Sequence, residues 1–136
     1  MIKIIGIEHV GIAVENLDED AKIWNEVLNL KHLSTEHVDK QGVITDIYET
    51  GKGKIELLLS KYPDSPIAKF IEKRGKGIHH ICLQVENLGD AIESLKNNEI
   101  PIINNESSIG AEGYKVIFIH PKYTGGVLLE LAEKPT

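Results

Sequence analysis

Two segments of this chain decide its fold, because one is a copy of the other. Residues 7–17 read IEHVGIAVENL and residues 78–88 read IHHICLQVENL, and six of the eleven aligned positions are identical. A second similarity follows in the same order, since KIELL at 54–58 is matched by LLELA at 128–132. Two ordered similarities indicate an internal duplication. We therefore predict two copies of one structural module.

Each copy is predicted to contain a strand, a helix and three further strands. Residues 4–14 and 78–86 alternate and are rich in Ile and Val, which is typical of strands. Helical patterns follow at 18–28, where Ile23, Trp24, Val27 and Leu28 form an apolar stripe, and at 90–96. The remaining candidate strands are 31–37, 42–50 and 54–59 in the first copy, and 101–104, 114–119 and 126–132 in the second.

The predicted fold class is therefore α+β, with two tandem βαβββ modules in one domain over residues 1–136. Module one covers about 1–60 and module two about 77–133. A linker helix is predicted at about 64–74, where Asp64 or Ser65 can cap the helix and Pro66 suits its first turn.

Composition restricts the class of protein. A chain of 136 residues can bury a core without disulfides, and its 41% hydrophobic and 26% charged residues are ordinary for a globular domain. A single cysteine, Cys82, fits a reducing compartment. No apolar run approaches the ~20 residues that cross a bilayer, and no signal peptide is evident. We expect a cytoplasmic protein that binds no membrane.

Charge is unevenly distributed along the chain. The net charge of -6 argues against nucleic acid as a partner. Residues 51–76 nevertheless hold seven basic and three acidic side chains. This stretch is either a solvated face or a landing site for an anionic small molecule.

The duplicated segments place two histidines and two glutamates at matching positions. Because side chains alternate along a strand, His9 and His80 point away from the apolar residues that should pack under a helix. Glu56 is likewise out of phase with Ile55, Leu57 and Leu59, and Glu130 is out of phase with Leu129 and Leu131. These four polar residues are expected on the sheet face opposite the one that should pack under the helix of each module.

A divalent metal ion is the partner that such a set predicts. Buried carboxylates and charged imidazoles are costly without one, and together they suit Zn, Ni, Co, Fe or Mn. We predict one ion bound by His9, Glu56, His80 and Glu130, with positions left for water or substrate. The alternative is that the histidines are hydrogen-bonded structural residues and the glutamates lie at an exposed rim.

The other histidines and the cysteine are weaker candidates. His32 and His37 have no repeat partner and are predicted at the surface. His79 could orient a metal ligand, and His120 is open to a structural or a substrate-contact role. Cys82 has apolar neighbours, which favours a small buried side chain over a nucleophile.

Several motifs of this sequence resemble those of methylmalonyl-CoA epimerases, a family of the vicinal oxygen chelate superfamily. The resemblance covers nearly the full length, and the matching stretches are IEHVG (7–11), IELL (55–58), DSPIA (64–68), GIHHIC (77–82), IGAEG (109–113), VIFIHP (116–121) and GGVLLEL (125–131). The last is the most specific, because its turn and its Glu occur together. The superfamily curls its sheet around a metal ion.

The resemblance implies an isomerase that interconverts (R)- and (S)-methylmalonyl-CoA by proton removal and return through a metal-stabilised enolate. It implies His9, Glu56, His80 and Glu130 as metal ligands, one metal ion per chain with cobalt favoured, an acyl-CoA substrate and a homodimer. Glu130 resembles a family residue proposed as an acid or base. The second such residue is not in clear register, and Glu56 and Asp46 are the candidates for it.

Two other functions remain open from the sequence. Glu56 also matches the ligand set of glyoxalase I, so this residue does not separate the two enzymes. The DSPI segment (64–67) and the turn before Glu130 favour the epimerase. A non-catalytic binding module, similar to metal-free relatives that bind antibiotics, is the third possibility, and the intact set of four ligands argues against it.

Overall fold

The computed structural model describes all 136 residues, in eight strands and three α-helices. The strands are β1 (Ile4–Val14), β2 (Lys31–Val38), β3 (Val43–Glu49), β4 (Lys54–Ser60), β5 (Gly77–Val85), β6 (Ser108–Ile109), β7 (Lys115–Ile119) and β8 (Leu129–Glu133). The helices are α1 (Leu17–Asp20), α2 (Pro66–Arg74) and α3 (Leu88–Asn97), and a π-helix covers Ile23–Val27. Strands and helices therefore occur in the predicted α+β order. No helix is long and apolar enough to cross a membrane.

The chain divides into two compact units, here called the first unit (residues 9–79) and the second unit (residues 1–8 and 80–136). In the first unit β2, β3 and β4 form an antiparallel sheet, and β4 pairs in parallel with β1. In the second unit β6, β7 and β8 are antiparallel, and β8 pairs in parallel with β5. The two units thus repeat one strand order, which confirms the predicted βαβββ modules.

Helices cover defined faces of each sheet. In the first unit an apolar cluster with Leu57 at its centre packs against Leu17, Ala21 and Trp24, while α2 packs through Ile67 on Ala13 and Leu58 of the other face. In the second unit α3 buries Leu88, Ala91 and Leu95 against Ile117 and Leu131. In each unit, then, one face packs under the helix of its own βαβββ module.

The repeated Val-Glu-Asn-Leu segment has a structural cause. Asn16 and Asn87 are extended residues that cap the next helix, because the Asn16 side chain accepts from the Glu19 amide at 3.1 Å and Asn87 accepts from the Asp90 amide at 2.9 Å. Such N-caps satisfy backbone donors that a helix leaves open. The motif therefore ends a strand and begins a helix in both modules.

The linker helix begins where the sequence places it. Ser65 is buried and its hydroxyl accepts from the Ala68 amide at 3.1 Å, while Pro66 occupies the first helical turn. The helix ends at Arg74 and Gly75 follows with a φ of 77°, a conformation that glycine adopts without strain. Of the two capping candidates, Ser65 is the one that caps.

One predicted strand is wrong. Residues 101–104 do not form a strand, and Ile103–Asn105 is instead a 3₁₀ turn. Asn104 and Asn105 adopt φ values of 65° and 57°, which no strand tolerates, and Pro101 has no amide to donate to a ladder. The second strand of this module is instead the short β6, which lies later in the chain at Ser108–Ile109.

The predicted helix at 18–28 also differs, because it is a short α1 followed by the π-helix. The Leu28 amide donates to the Ile23 carbonyl at 2.8 Å, which is the wider π spacing. A wider turn rotates the apolar stripe away from the sheet, so only Trp24 packs inward, whereas Ile23, Val27 and Leu28 are exposed.

This arrangement predicts unequal effects of truncating two apolar side chains. Leu57 is completely buried and Val27 is 71% exposed. We expect Leu57→Ala to lower the free energy of unfolding by about 2–5 kcal/mol, since it leaves a cavity. Val27→Ala should change it by less than about 0.5 kcal/mol. Urea denaturation measures both, and a large loss in Val27→Ala would contradict the rotated stripe.

Candidate metal centre

In the first unit, β1 and β4 bring His9 beside Glu56. Their parallel register sets Gly11 against Glu56, two residues from His9 on the same side of the strand. His9 Nδ1 lies 3.1 Å from Glu56 Oε2, and both residues are nine-tenths buried or more.

In the second unit, β5 and β8 repeat this geometry with His80 and Glu130. His80 Nε2 lies 3.0 Å from Glu130 Oε1, and both residues are equally buried. The register sets Cys82 against Glu130, in the place that Gly11 takes in the first unit. The ring of Phe118 packs edge-on against the His80 imidazole at 5.9 Å.

Each unit thus presents one imidazole and one carboxylate as a buried pair. Nitrogen and oxygen donors of these types suit divalent first-row metals, and burial removes the water that would otherwise solvate them. The four predicted ligands are therefore buried strand residues and not a solvent-exposed rim. Their chemistry fits a metal ion.

Asp46 does not belong with the glutamates. On β3, Ile47 is opposite Glu56, and Asp46 is opposite Leu57 of the helix-covered cluster. Paired residues of an antiparallel ladder share a face, so Asp46 and Glu56 point to opposite sides of the sheet. The hypothesis that Asp46 is the second acid or base at the metal centre is therefore wrong.

The remaining histidines and the cysteine, which were weaker candidates for the site, make packing or turn contacts or lie at the surface. His79 packs its ring against Phe70 at 4.9 Å, and the His120 Nδ1 accepts from the Lys122 amide at 3.1 Å in the turn before β8. Cys82 is fully buried in a cluster with Val116 and Ala132, as an apolar side chain would be. His37 is exposed.

Sequence reasoning missed a polar network on the face of the first unit that packs under α1 and the π-helix. Asp46 accepts from the Tyr48 hydroxyl at 3.0 Å and from the Thr35 hydroxyl, and His32 Nε2 lies 3.0 Å from the same carboxylate. Asp46 and Tyr48 are two residues apart on a strand, so they share a face. The spacing of Asp46 and Tyr48 could have indicated their hydrogen bond from sequence. The contacts of His32 and Thr35 depend on the pairing of β2 with β3, which the sequence does not show.

Comparison with known proteins defines the class. The family model of the Glyoxalase/Bleomycin resistance protein/Dioxygenase superfamily matches residues 8–118. The duplicated modules with a His–Glu pair in each belong to this class of protein.

Individual relatives identify the family within this superfamily. The chain is 39% identical over 128 residues to the mitochondrial methylmalonyl-CoA epimerase of Homo sapiens, covering 93% of this chain and 73% of the human protein. It matches the crystal structure of the Mycobacterium tuberculosis methylmalonyl-CoA epimerase with a TM-score of 0.93 at 31% identity, over 98% of this chain and 90% of that one. The chain belongs to the methylmalonyl-CoA epimerase family.

A structure with a bound acyl-CoA analogue is also similar. A Streptomyces coelicolor methylmalonyl-CoA epimerase variant in complex with 2-nitronate-propionyl-CoA has a TM-score of 0.91 at 26% identity, over 98% of this chain and all of that one. The predicted resemblance is thereby confirmed at the level of family and fold.

The buried network predicts a shifted tyrosine titration. Burial, together with the hydrogen bond to Asp46 and its negative charge, raises the pKa of Tyr48 to about 12. The unfolded chain releases this proton near pH 10 and the folded chain holds it longer, so the free energy of unfolding should fall as pH rises from about 10 to about 12. Ultraviolet titration of tyrosinate in wild type and Tyr48→Phe assigns the late step.

A matched control is Tyr123→Phe, because Tyr123 is partly exposed. This variant should keep the late titration step and the alkaline loss of stability. Survival of both effects in Tyr48→Phe would contradict the assignment.

Proposed function

We propose that this protein is a metal-dependent epimerase that interconverts (R)- and (S)-methylmalonyl-CoA. The observation that carries the proposal is the buried His–Glu pair repeated in each module, 3.1 Å and 3.0 Å apart, in a chain of this family. The substrate class follows from the relatives, which are named as methylmalonyl-CoA epimerases, one of them bound to an acyl-CoA analogue.

We assign His9, Glu56, His80 and Glu130 as ligands of one divalent ion per chain. Two neutral imidazoles and two carboxylates give a neutral complex with a divalent cation, which offsets the cost of burying the carboxylates. When bound, the ion supplies Lewis-acid stabilisation of the negative charge that develops on the substrate oxygen. Cobalt is our first choice of metal, on the strength of the family resemblance.

The carboxylates also have a role in moving the proton. The reaction removes a proton from the carbon between a thioester and a carboxylate, and returns one to the opposite face of that carbon. Glu130 and Glu56 are the acidic residues that the two pairs provide, and a carboxylate that binds the ion through one oxygen has a second oxygen that can accept a proton. We assign Glu130 to one proton transfer and Glu56 as the candidate for the other.

The remaining assignments concern the rest of the substrate and the assembly. Helix α2 carries Lys69, Lys73 and Arg74 on exposed positions, and we assign this basic surface to the phosphates of CoA. In contrast, Lys61 and Lys76 are engaged with Asp39 and Asp20. A homodimer and a cytoplasmic location stay predictions.

Solvent exchange tests the proposed reaction. In deuterated water, the cobalt-loaded enzyme should place deuterium on the α-carbon of methylmalonyl-CoA, which mass spectrometry detects. Removal of metal with a chelator should abolish exchange, and added cobalt should restore it. Absence of exchange in the metal-loaded protein would contradict the epimerase assignment.

Variants separate the chemical role of Glu130 from a general loss of structure. Glu130→Gln should slow exchange by roughly 10²-fold or more, because the amide cannot accept the proton and is also a weaker metal ligand than the carboxylate. Glu93→Gln is the matched control, since Glu93 is an exposed residue of α3. Equal rates in Glu130→Gln and wild type would remove Glu130 from the proton transfer.

A further inference from the structure

An aromatic ring borders the His80–Glu130 pair in the second unit. Phe118 of β7 is opposite Glu130 of β8 in their antiparallel ladder. Paired residues of such a ladder share a face, so the Phe118 ring and the Glu130 carboxylate lie on the same side of the sheet. The ring also packs edge-on against the His80 imidazole, with 5.9 Å between the ring centroids. Phe118 is therefore an apolar neighbour of both predicted metal ligands of this unit.

Alternation along β7 leaves part of this ring open. Ile117 and Ile119 point to the other face, where they are buried in the cluster that packs against α3. Val116 shares the face of Phe118 and is only 2% exposed. Phe118 lies at the edge of the same cluster and is half-buried. Its open surface is therefore on the face that carries Glu130.

The duplication provides an internal comparison for this position. Ile47 is opposite Glu56 in the first unit, just as Phe118 is opposite Glu130 in the second. Ile47 is completely buried, so it can serve only the core. Phe118 is larger and keeps accessible surface beside polar groups. Small-molecule sites combine a few polar groups with apolar and aromatic walls, and the second unit provides that combination.

The proposed substrate has one group that needs an apolar wall. Its α-carbon carries a methyl group and lies between two polar groups, a thioester and a carboxylate. Loss of the proton makes this carbon planar, so the methyl group lies in the plane while the proton leaves and returns perpendicular to it. A methyl group forms no hydrogen bond, and contact with apolar surface stabilises it. A wall in this plane therefore serves both epimers.

We propose that the Phe118 ring contacts the α-methyl group of the substrate and limits the length of the alkyl chain that the enzyme accepts. This inference rests on the proposed epimerase function. Phe118 takes no part in proton transfer, because its ring has no group that exchanges a proton; it determines which 2-alkylmalonyl-CoA fits. A well-packed apolar wall discriminates one methylene group by about 10- to 200-fold.

Chain-length selectivity tests the proposal. Solvent-deuterium exchange gives kcat/KM for methylmalonyl-, ethylmalonyl- and propylmalonyl-CoA with cobalt-loaded wild type, Phe118→Leu and Phe118→Ala. Wild type should lose about tenfold or more for each added carbon. Phe118→Ala should reduce this preference by at least about tenfold, and Phe118→Leu by less, since the wall recedes in steps. Wild-type ratios in both variants, or no preference in wild type, would overturn the proposal.

Calorimetric dissociation constants for the same three thioesters give a readout that needs no turnover, and they should shift in the same order. Wild-type exchange into methylmalonyl-CoA tests the epimerase function separately from these ratios. If Phe118→Ala does not fold, Phe118→Trp replaces it and should sharpen the preference for the methyl group; an unchanged preference there would count against the wall.

A matched control lies on the opposite face of the same strand. Ile119→Val removes one methylene group from the cluster under α3, so it should keep the wild-type ratios. The Phe118 variants should also retain the wild-type cobalt content, because a phenyl ring offers no ligand atom. A shift in selectivity as large in Ile119→Val as in Phe118→Leu would refute the assignment to Phe118.

Discussion

Burial of charged groups on one face of each sheet is the constraint on which the rest of this structure depends. His9, Glu56, His80 and Glu130 are only 4 to 6% exposed, although each can carry a charge. Such groups persist inside a protein only when partners compensate their desolvation. The pairs of 3.1 Å and 3.0 Å provide part of that compensation, and a divalent ion completes it in the function we propose.

The two faces of the first sheet separate two kinds of chemistry. Alternation along β3 and β4 directs Ile47 and Glu56 to one side and Asp46 and Leu57 to the other. The side with Glu56 holds the donors assigned to the metal ion. The side with Asp46 packs under α1 and the π-helix and holds that buried carboxylate in its hydrogen-bond network. A shift of one residue in this register would exchange the two sets.

Much of this organisation could be predicted from sequence because duplication repeats local signals. The His and Glu positions follow from period-2 alternation, and the repeated Asn caps mark both helix starts. The rest depends on tertiary context. The sequence of residues 101–104 is typical of a strand, but the positive φ of Asn104 excludes one. The apolar spacing of Ile23, Val27 and Leu28 fits an α-helix, whereas the chain forms a π-helix there. The partners of Asp46 come from β2, whose bulge near His32 alters the register.

Metal content per chain tests the central assignment most directly. After loading with cobalt and dialysis, elemental analysis should find one ion per chain in wild type, and clearly less in His9→Ala, His80→Ala, Glu56→Gln and Glu130→Gln. His37→Ala, which changes an exposed histidine, should retain the full amount. Two ions per chain, or full retention when the pair of either unit is altered, would contradict a single ion held by both His–Glu pairs.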